Sequence, residues 1–176
     1  MIYNLKILIT FFSNTGNTEK VANSLKDGLT DHDVHMIPVK DLDPKTLNSY
    51  DIVFLGSGVY ASRIDKSVLT LIKKAVPDLP AKLAYFCTHA SLKLYQEPFK
   101  RINNIAKEHN CEIIDKFDCV GENLGIPLET QLGMLEKLPE DQKEKAIKDM
   151  EKMKGRPNEM DLENAKNFAI SLVKNL

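Results

Sequence analysis

Short apolar segments alternate with amphipathic ones along the chain. Four of the apolar segments predict strands over 6–12, 51–56, 82–87 and 112–119. The first three contain almost no polar residues, which is typical of parallel strands covered by helices on both faces. A weaker strand is predicted over 34–39, where Pro38 suits a position at the edge of a sheet.

Apolar residues at helical spacing lie between these strands, over 21–29, 68–76 and 99–106. This alternation predicts an α/β fold, a three-layer, doubly wound, five-stranded parallel sheet with right-handed crossovers. A last helix with a wide apolar face follows near 162–176, and Asn158 or Asp161 is its expected N-terminal cap. A helix rich in Glu and Lys precedes it at 139–154. We therefore predict one domain over 1–176, with a charged insertion at about 120–157 before the C-terminal helix.

Composition and charge exclude several function classes. The 176 residues contain 24 Lys and Arg against 25 Asp and Glu, so no strong positive field attracts nucleic acid. No apolar run reaches the roughly 18 residues of a membrane span, and the first residues do not resemble a signal peptide, so we expect a cytoplasmic protein. The 3 Cys and 4 His have no metal-ligand spacing, and no metal site is predicted.

The loop after the first strand carries the clearest chemistry. Between Phe12 and Glu19 it contains a glycine and three hydroxyl side chains but neither Lys nor Arg. The N–H groups of the helix start and its dipole favour an anion there, so the loop predicts a phosphate site neutralised by dipoles rather than by an ion pair. An ordinary Ser or Thr helix cap is the alternative interpretation.

The sequence S-N-T-G-N-T at 13–18 resembles the T/S-x-T-G-x-T phosphate loop of the flavodoxin-like family, which binds FMN. The resemblance extends over 6–119 and implies the strand order 2-1-3-4-5, with FMN at the switch point between the first and third strands. It implies phosphate contacts from Ser13, Asn14, Thr15, Gly16, Asn17 and Thr18.

Two further loops should hold the flavin ring if the resemblance is correct. They contribute Ser57, Gly58, Val59, Tyr60 and Ala61 after the third strand, and Thr88, His89 and Ala90 after the fourth. Tyr60 is the candidate for stacking on the ring.

The resemblance implies an electron carrier rather than an enzyme with catalytic side chains. FMN would be held non-covalently and cycle between oxidised, semiquinone and hydroquinone states, with redox proteins or a small electron acceptor as partners. Four cationic or titratable side chains are expected around the ring, namely Arg63, Lys66, His89 and Lys93. We therefore expect a less negative potential than acidic flavodoxins have.

Two alternatives stay open at this point. The segment V-Y-A-S-R-I-D-K at 59–66 is similar to flavodoxin-like protoporphyrinogen dehydrogenases, which reduce quinones, so a small FMN-dependent quinone or protoporphyrinogen-type oxidoreductase is one. A flavin-free module that binds another phosphate ligand is the other. The insertion is a candidate lid, partner surface or homodimer contact.

Overall fold

The computed structural model describes residues 4–94 and 96–176 and has a parallel sheet at its centre. Five parallel strands take the order β2-β1-β3-β5-β6, and a two-residue strand, β4, pairs antiparallel with the end of β3. The bounds are β1 Lys6–Phe12, β2 Asp33–Met36, β3 Ile52–Tyr60, β4 Arg63–Ile64, β5 Lys82–His89 and β6 Glu112–Val120. Counting the five long strands alone, this is the predicted order 2-1-3-4-5.

Helices cover both faces of this sheet. They are α1 Asn17–Asp27, α2 Lys66–Ala75, α3 Lys100–Glu108, α4 Leu128–Leu135, α5 Glu140–Met153 and α6 Glu159–Lys174. Two 3₁₀ turns, Val39–Asp41 and Pro44–Ser49, connect β2 to β3. Among the described residues, no helix combines the length and apolar character needed to cross a membrane.

The apolar core divides into two clusters because successive residues of a strand point to opposite faces of the sheet. Leu8 and Leu55 belong to the cluster beneath α2 and α3. Ile7 and Ile9 belong to the cluster beneath α1 and α6. Because these five strands are parallel, their carboxyl ends all lie at one edge of the sheet, where the loops with polar residues begin.

The structure corrects several predicted boundaries. The third strand does not end at Gly56 but continues to Tyr60, because residues 57–58 pair with β5 and residues 59–60 pair with the hairpin strand β4. The edge strand covers 33–36 rather than 34–39, since Pro38 has no N–H for the ladder and Val39 begins a 3₁₀ turn. The last strand reaches Val120, one residue beyond the prediction.

The 121–157 segment contains two helices where a single one was predicted. Helix α4 buries only Leu135, and α5 has no buried residue. Several apolar side chains of this segment are exposed, among them Leu128 and Leu132. The segment is therefore held to the body mainly at its two ends.

Candidate functional site

A cavity of about 620 Å³ opens at the carboxyl ends of β1, β3 and β5. Its volume is in the range of sites that bind cofactors. All of the predicted site residues line it except Gly16 and Ser57. The cavity lies where the strand order reverses, which is the position where doubly wound sheets bind ligands.

The first wall is the loop that begins α1. Gly16 precedes the helix with φ 92°, a left-handed conformation that favours glycine, and it has no side chain with which to cap the helix. The Oγ atom of Ser13 accepts the N–H groups of Gly16 and Glu19, at 3.1 and 3.3 Å. The N–H groups of Asn17 and Thr18 donate to no other residue in the described part of the chain. The helix therefore begins with unsatisfied donors beside the cavity.

Side chains of the first helical turn fix this loop to its surroundings. The hydroxyls of Thr18 and Thr88 are 2.9 Å apart and buried, which joins the start of α1 to the end of β5. Asn17 donates from Nδ2 to the carbonyl of Glu122 at 2.9 Å, while its buried Oδ1 accepts no hydrogen bond from any residue that the structure describes. Because a hydroxyl that accepts hydrogen bonds keeps its own proton, Ser13 can still donate to an anion.

The second wall is the end of β3 and its hairpin. Ser57 is fully buried, and its Oγ donates to the carbonyl of Gly58 at 2.7 Å and accepts from the N–H of Asp65 at 3.0 Å. Its side chain therefore stabilises the hairpin instead of lining the cavity. Ala61 and Ser62, with φ 45° and 65°, form the tight turn.

Tyr60 folds back over the backbone of Gly58. A Cβ atom at Gly58 would lie 2.5 Å from the Tyr60 hydroxyl, so a larger residue there would displace the Tyr60 side chain from this position. The Tyr60 ring packs edge-on against Phe12, with centroids 6.1 Å apart, and 40% of the residue is exposed. Burial raises the pKa of the Tyr60 hydroxyl, and the negative charge of Asp65 raises that pKa further. The hydrogen bond from the backbone of Asn14 acts in the opposite direction and lowers it. An aromatic side chain thus lies across the cavity beside Val59.

The third wall is the end of β5 and the residues after it. Thr88 and His89 were predicted in a loop, but they are the last residues of the strand and are both buried, whereas Ala90 follows the strand. Of the four side chains expected around the ring, His89 alone lines the cavity. Arg63, Lys66 and Lys93 are exposed and outside it.

A fourth wall was missed by the sequence analysis. Residues 121–126 cross from β6 to the first wall. The N–H of Gly121 donates to the carbonyl of His89 at 2.9 Å, and the N–H of Glu122 donates to the carbonyl of Arg156 at 2.8 Å. A Cβ atom at Gly121 would be 2.8 Å from Nδ2 of Asn17, which explains the glycine. The two glycines at 121 and 125 are the sequence feature that could have indicated a close backbone contact in this segment. The sequence alone does not indicate which loop they contact.

The cavity is almost free of charged side chains. Its described lining contains neither Lys nor Arg, and Glu122 is its single carboxylate. The Glu122 Oε2 atom accepts the N–H of Gly155 at 2.8 Å and so is occupied by backbone. An anion would therefore be stabilised here by N–H groups and the α1 dipole, with His89 as the single titratable nitrogen group in that lining.

Comparison with known proteins places the chain in a family. The flavodoxin domain family model matches residues 8–170. An uncharacterized protein of Methanocaldococcus jannaschii is 28% identical over 173 residues, which are 97% of this chain and 100% of that protein. Probable flavodoxin 1 of Bacillus subtilis is 41% identical over 54 residues, which are 30% of this chain and 34% of that protein.

Solved structures with the same fold cover nearly the whole chain. Oxidised flavodoxin 2 of Bacillus cereus has a TM-score of 0.65 at 20% identity, and the alignment covers 97% of this chain and 99% of that one. At this identity the likeness shows the fold, and the family match over 8–170 carries the relationship. Together with the parallel sheet and the loop at 13–18, these findings lead to one conclusion: the chain belongs to the flavodoxin domain family.

Proposed function

We propose that this protein binds FMN non-covalently and works as an electron carrier. The observation that carries the proposal is the start of α1, where the N–H groups of Asn17 and Thr18 have no partner among the described residues. They lie at the wall of a cavity whose described lining contains neither Lys nor Arg. A phosphate monoester supplies the oxygen acceptors that these groups lack.

The other walls fit the remainder of FMN. Tyr60 and Val59 offer an aromatic and apolar surface for a flat ring on one side, and residues 88–91 offer polar groups on the other. Asn17 contributes a buried Oδ1 that has no hydrogen-bond partner in the described part of the chain. When bound, FMN would supply the redox chemistry, while the protein binds its phosphate, orients its ring and excludes water.

The arrangement of side chains favours a carrier over an enzyme. In the described cavity lining, His89 and Glu122 are the imidazole and the carboxyl group that could serve as an acid or base, and both already form hydrogen bonds to protein groups. The partly similar relative is named a probable flavodoxin. We expect redox proteins or a small electron acceptor as partners. A cytoplasmic location and a homodimer through the insertion at about 120–157 stay predictions of the sequence.

A fluorescence titration tests FMN binding. Adding the apo-protein to FMN, FAD and riboflavin in separate titrations should quench FMN strongly, riboflavin weakly and FAD less than FMN. Equal quenching of FMN and riboflavin would contradict a phosphate site at 13–18. No quenching by any flavin would favour the flavin-free phosphate-binding module.

A second assay separates a carrier from an oxidoreductase. The FMN-loaded protein should accept electrons from a separate reductase and show no steady NAD(P)H oxidation with a quinone on its own. Sustained turnover with NAD(P)H and a quinone would instead support the quinone or protoporphyrinogen-type oxidoreductase.

A further inference from the structure

His89 is a buried titratable side chain at the wall of the cavity. It is the last residue of β5, and its side chain is 4% exposed although it lines the cavity. A buried imidazole must find partners for both nitrogens, and the identity of those partners determines how many protons the ring carries.

The Nδ1 atom faces acceptors. It lies 2.9 Å from the carbonyl oxygen of Ser91 and 3.2 Å from the Ser91 Oγ. The Ser91 hydroxyl donates its proton to the carbonyl of Lys93 at 2.8 Å, so toward His89 it can only accept. Nδ1 therefore carries a proton.

The Nε2 atom faces a carboxylate. It lies 2.9 Å from Oδ2 of Asp118, so a single proton is shared between them. The Asp118 side chain is 45% exposed and can be solvated as an anion. The hydrogen bond from His89 lowers the pKa of Asp118, which burial opposes, while the charges of His89 and Lys116 lower it further. The proton therefore resides on Nε2, and both nitrogens donate.

The other charged side chains near His89 do not place a positive charge at the cavity wall. Lys116 on β6 pairs with Glu97 at 3.1 Å, and Lys93 in the following loop is exposed. Glu122, on the segment that crosses the cavity, is bound to the N–H of Gly155. His89 is thus the one basic side chain in the described cavity lining.

We propose that His89 is a fixed imidazolium at the cavity wall and that Asp118 and Ser91 are the positioning residues that hold it in this form. A buried positive charge favours the more negative state of whatever ligand occupies the cavity. For FMN, which rests on the proposed function, it favours the reduced cofactor and raises its reduction potential. Ser91 fixes the ring orientation, and Asp118 fixes the second proton.

The variant Asp118→Asn tests the inference with little change in shape. A carboxamide can donate to Nε2, so a neutral imidazole then satisfies both hydrogen bonds and the charge is lost. Asp115→Asn is the matched control, because Asp115 is exposed on the same strand and loses the same charge without contacting His89.

The first readout is ¹⁵N NMR of the His89 ring in the apo-protein at neutral pH. We expect a directly bonded proton on both nitrogens in the wild type and in Asp115→Asn, and an unprotonated Nε2 in Asp118→Asn. An unprotonated nitrogen in the wild type, or two protonated nitrogens in Asp118→Asn, would overturn the inference. The wild-type spectrum decides alone should the variant not fold.

The second readout is the potential of bound FMN. In Asp118→Asn, the ratio of affinities for reduced and oxidised FMN should fall by up to about tenfold, since the lost His89 cation lines the cavity whereas the lost Asp118 anion does not. A tenfold change equals about 59 mV for a one-electron step. Asp115→Asn should shift the potential far less, and equal shifts would overturn the role of His89. If the wild type binds no FMN, the proposed function fails while the NMR result still decides the state of His89.

Discussion

Two helices that pack against each other, α1 and α6, begin in opposite ways. At α6 the N–H of Asp161 donates to the Asn158 side chain at 3.1 Å, and the N–H of Asn158 donates to the Asp161 carboxylate at 2.9 Å. Arg156 forms an ion pair with the same carboxylate. At α1 the cap is Gly16, which has no side chain, and the N–H groups of Asn17 and Thr18 have no partner among residues 4–94 and 96–176.

The two helix starts differ in whether their N–H groups are bonded within the protein or left available to a ligand. A capping side chain contributes about 1 kcal/mol to a helix, so an uncapped start lowers stability. Helix α6 uses its cap to anchor the end of the 121–157 segment. Helix α1 leaves donors at the wall of the cavity, where a ligand can accept their hydrogen bonds. The same backbone chemistry therefore stabilises the fold at one helix and prepares a binding site at the other.

The largest effect should come from removing the α6 cap. In Asp161→Asn, Arg156 loses its partner, and the free energy of unfolding should fall by about 2 to 4 kcal/mol. Glu159→Gln removes the same charge from an exposed position in the same turn and should cost less than about 0.5 kcal/mol. Urea unfolding measures both. Equal losses would show that charge in the first turn, rather than the closed cap, stabilises α6.

Substituting Gly16 should affect binding as well as stability. Gly16→Ala forces a side chain into a left-handed conformation at a cost of about 1 to 2 kcal/mol. The resulting shift of the loop should weaken FMN binding about tenfold and leave riboflavin binding nearly unchanged. Gly133 lies inside α4 with open space around it. The control variant Gly133→Ala should therefore stabilise the protein by about 0.5 to 1 kcal/mol. Flavin titration and urea unfolding of both variants would distinguish them.

The hydroxyl pair that joins α1 to β5 should have a smaller effect. Thr18→Val leaves the buried Thr88 hydroxyl without its partner and should cost about 1 kcal/mol of unfolding free energy. The double variant, with Val at both positions, should cost less than the two single losses added together, because no orphan hydroxyl remains. Additive losses in a double-mutant cycle would contradict the interaction.

The smallest effect concerns the pH dependence of the His89–Asp118 pair. Because the folded state lowers the pKa of Asp118, the carboxylate stabilises the fold above its unfolded pKa, and this contribution is lost as pH falls through the folded pKa. The difference in unfolding free energy between wild type and Asp118→Asn should shrink over that interval. Solvent screening of this half-exposed group keeps the effect small. A difference independent of pH would exclude the ion pair.

Local patterns in the sequence predicted much of the fold, and together with the family resemblance they indicated three of the four walls of the cavity. The strands follow from apolar runs such as 6–12, and the loop at 13–18 follows from a motif contiguous in sequence. The family match and the strand order confirm the fold. The assignment of individual residues to FMN stays a prediction.

The remainder depends on contacts between distant residues. Asn17 forms a hydrogen bond with Glu122, which is 105 positions away in the sequence, and no local pattern indicates that contact. The burial of His89 follows from the register of β5 with β6, which brings Asp118 within reach. Sequence analysis therefore gave His89 as one of several cations, whereas tertiary packing separates it from the exposed Arg63 and Lys66.

The most direct test of the FMN site is an amide NMR titration of the apo-protein. Spectra recorded with FMN and with riboflavin report separately on the N–H groups of Asn17 and Thr18. With FMN these two signals should move to lower field, as expected for new hydrogen bonds to phosphate, and with riboflavin they should stay in place. Identical shifts with both flavins, or no shift with FMN, would contradict a phosphate site at the start of α1.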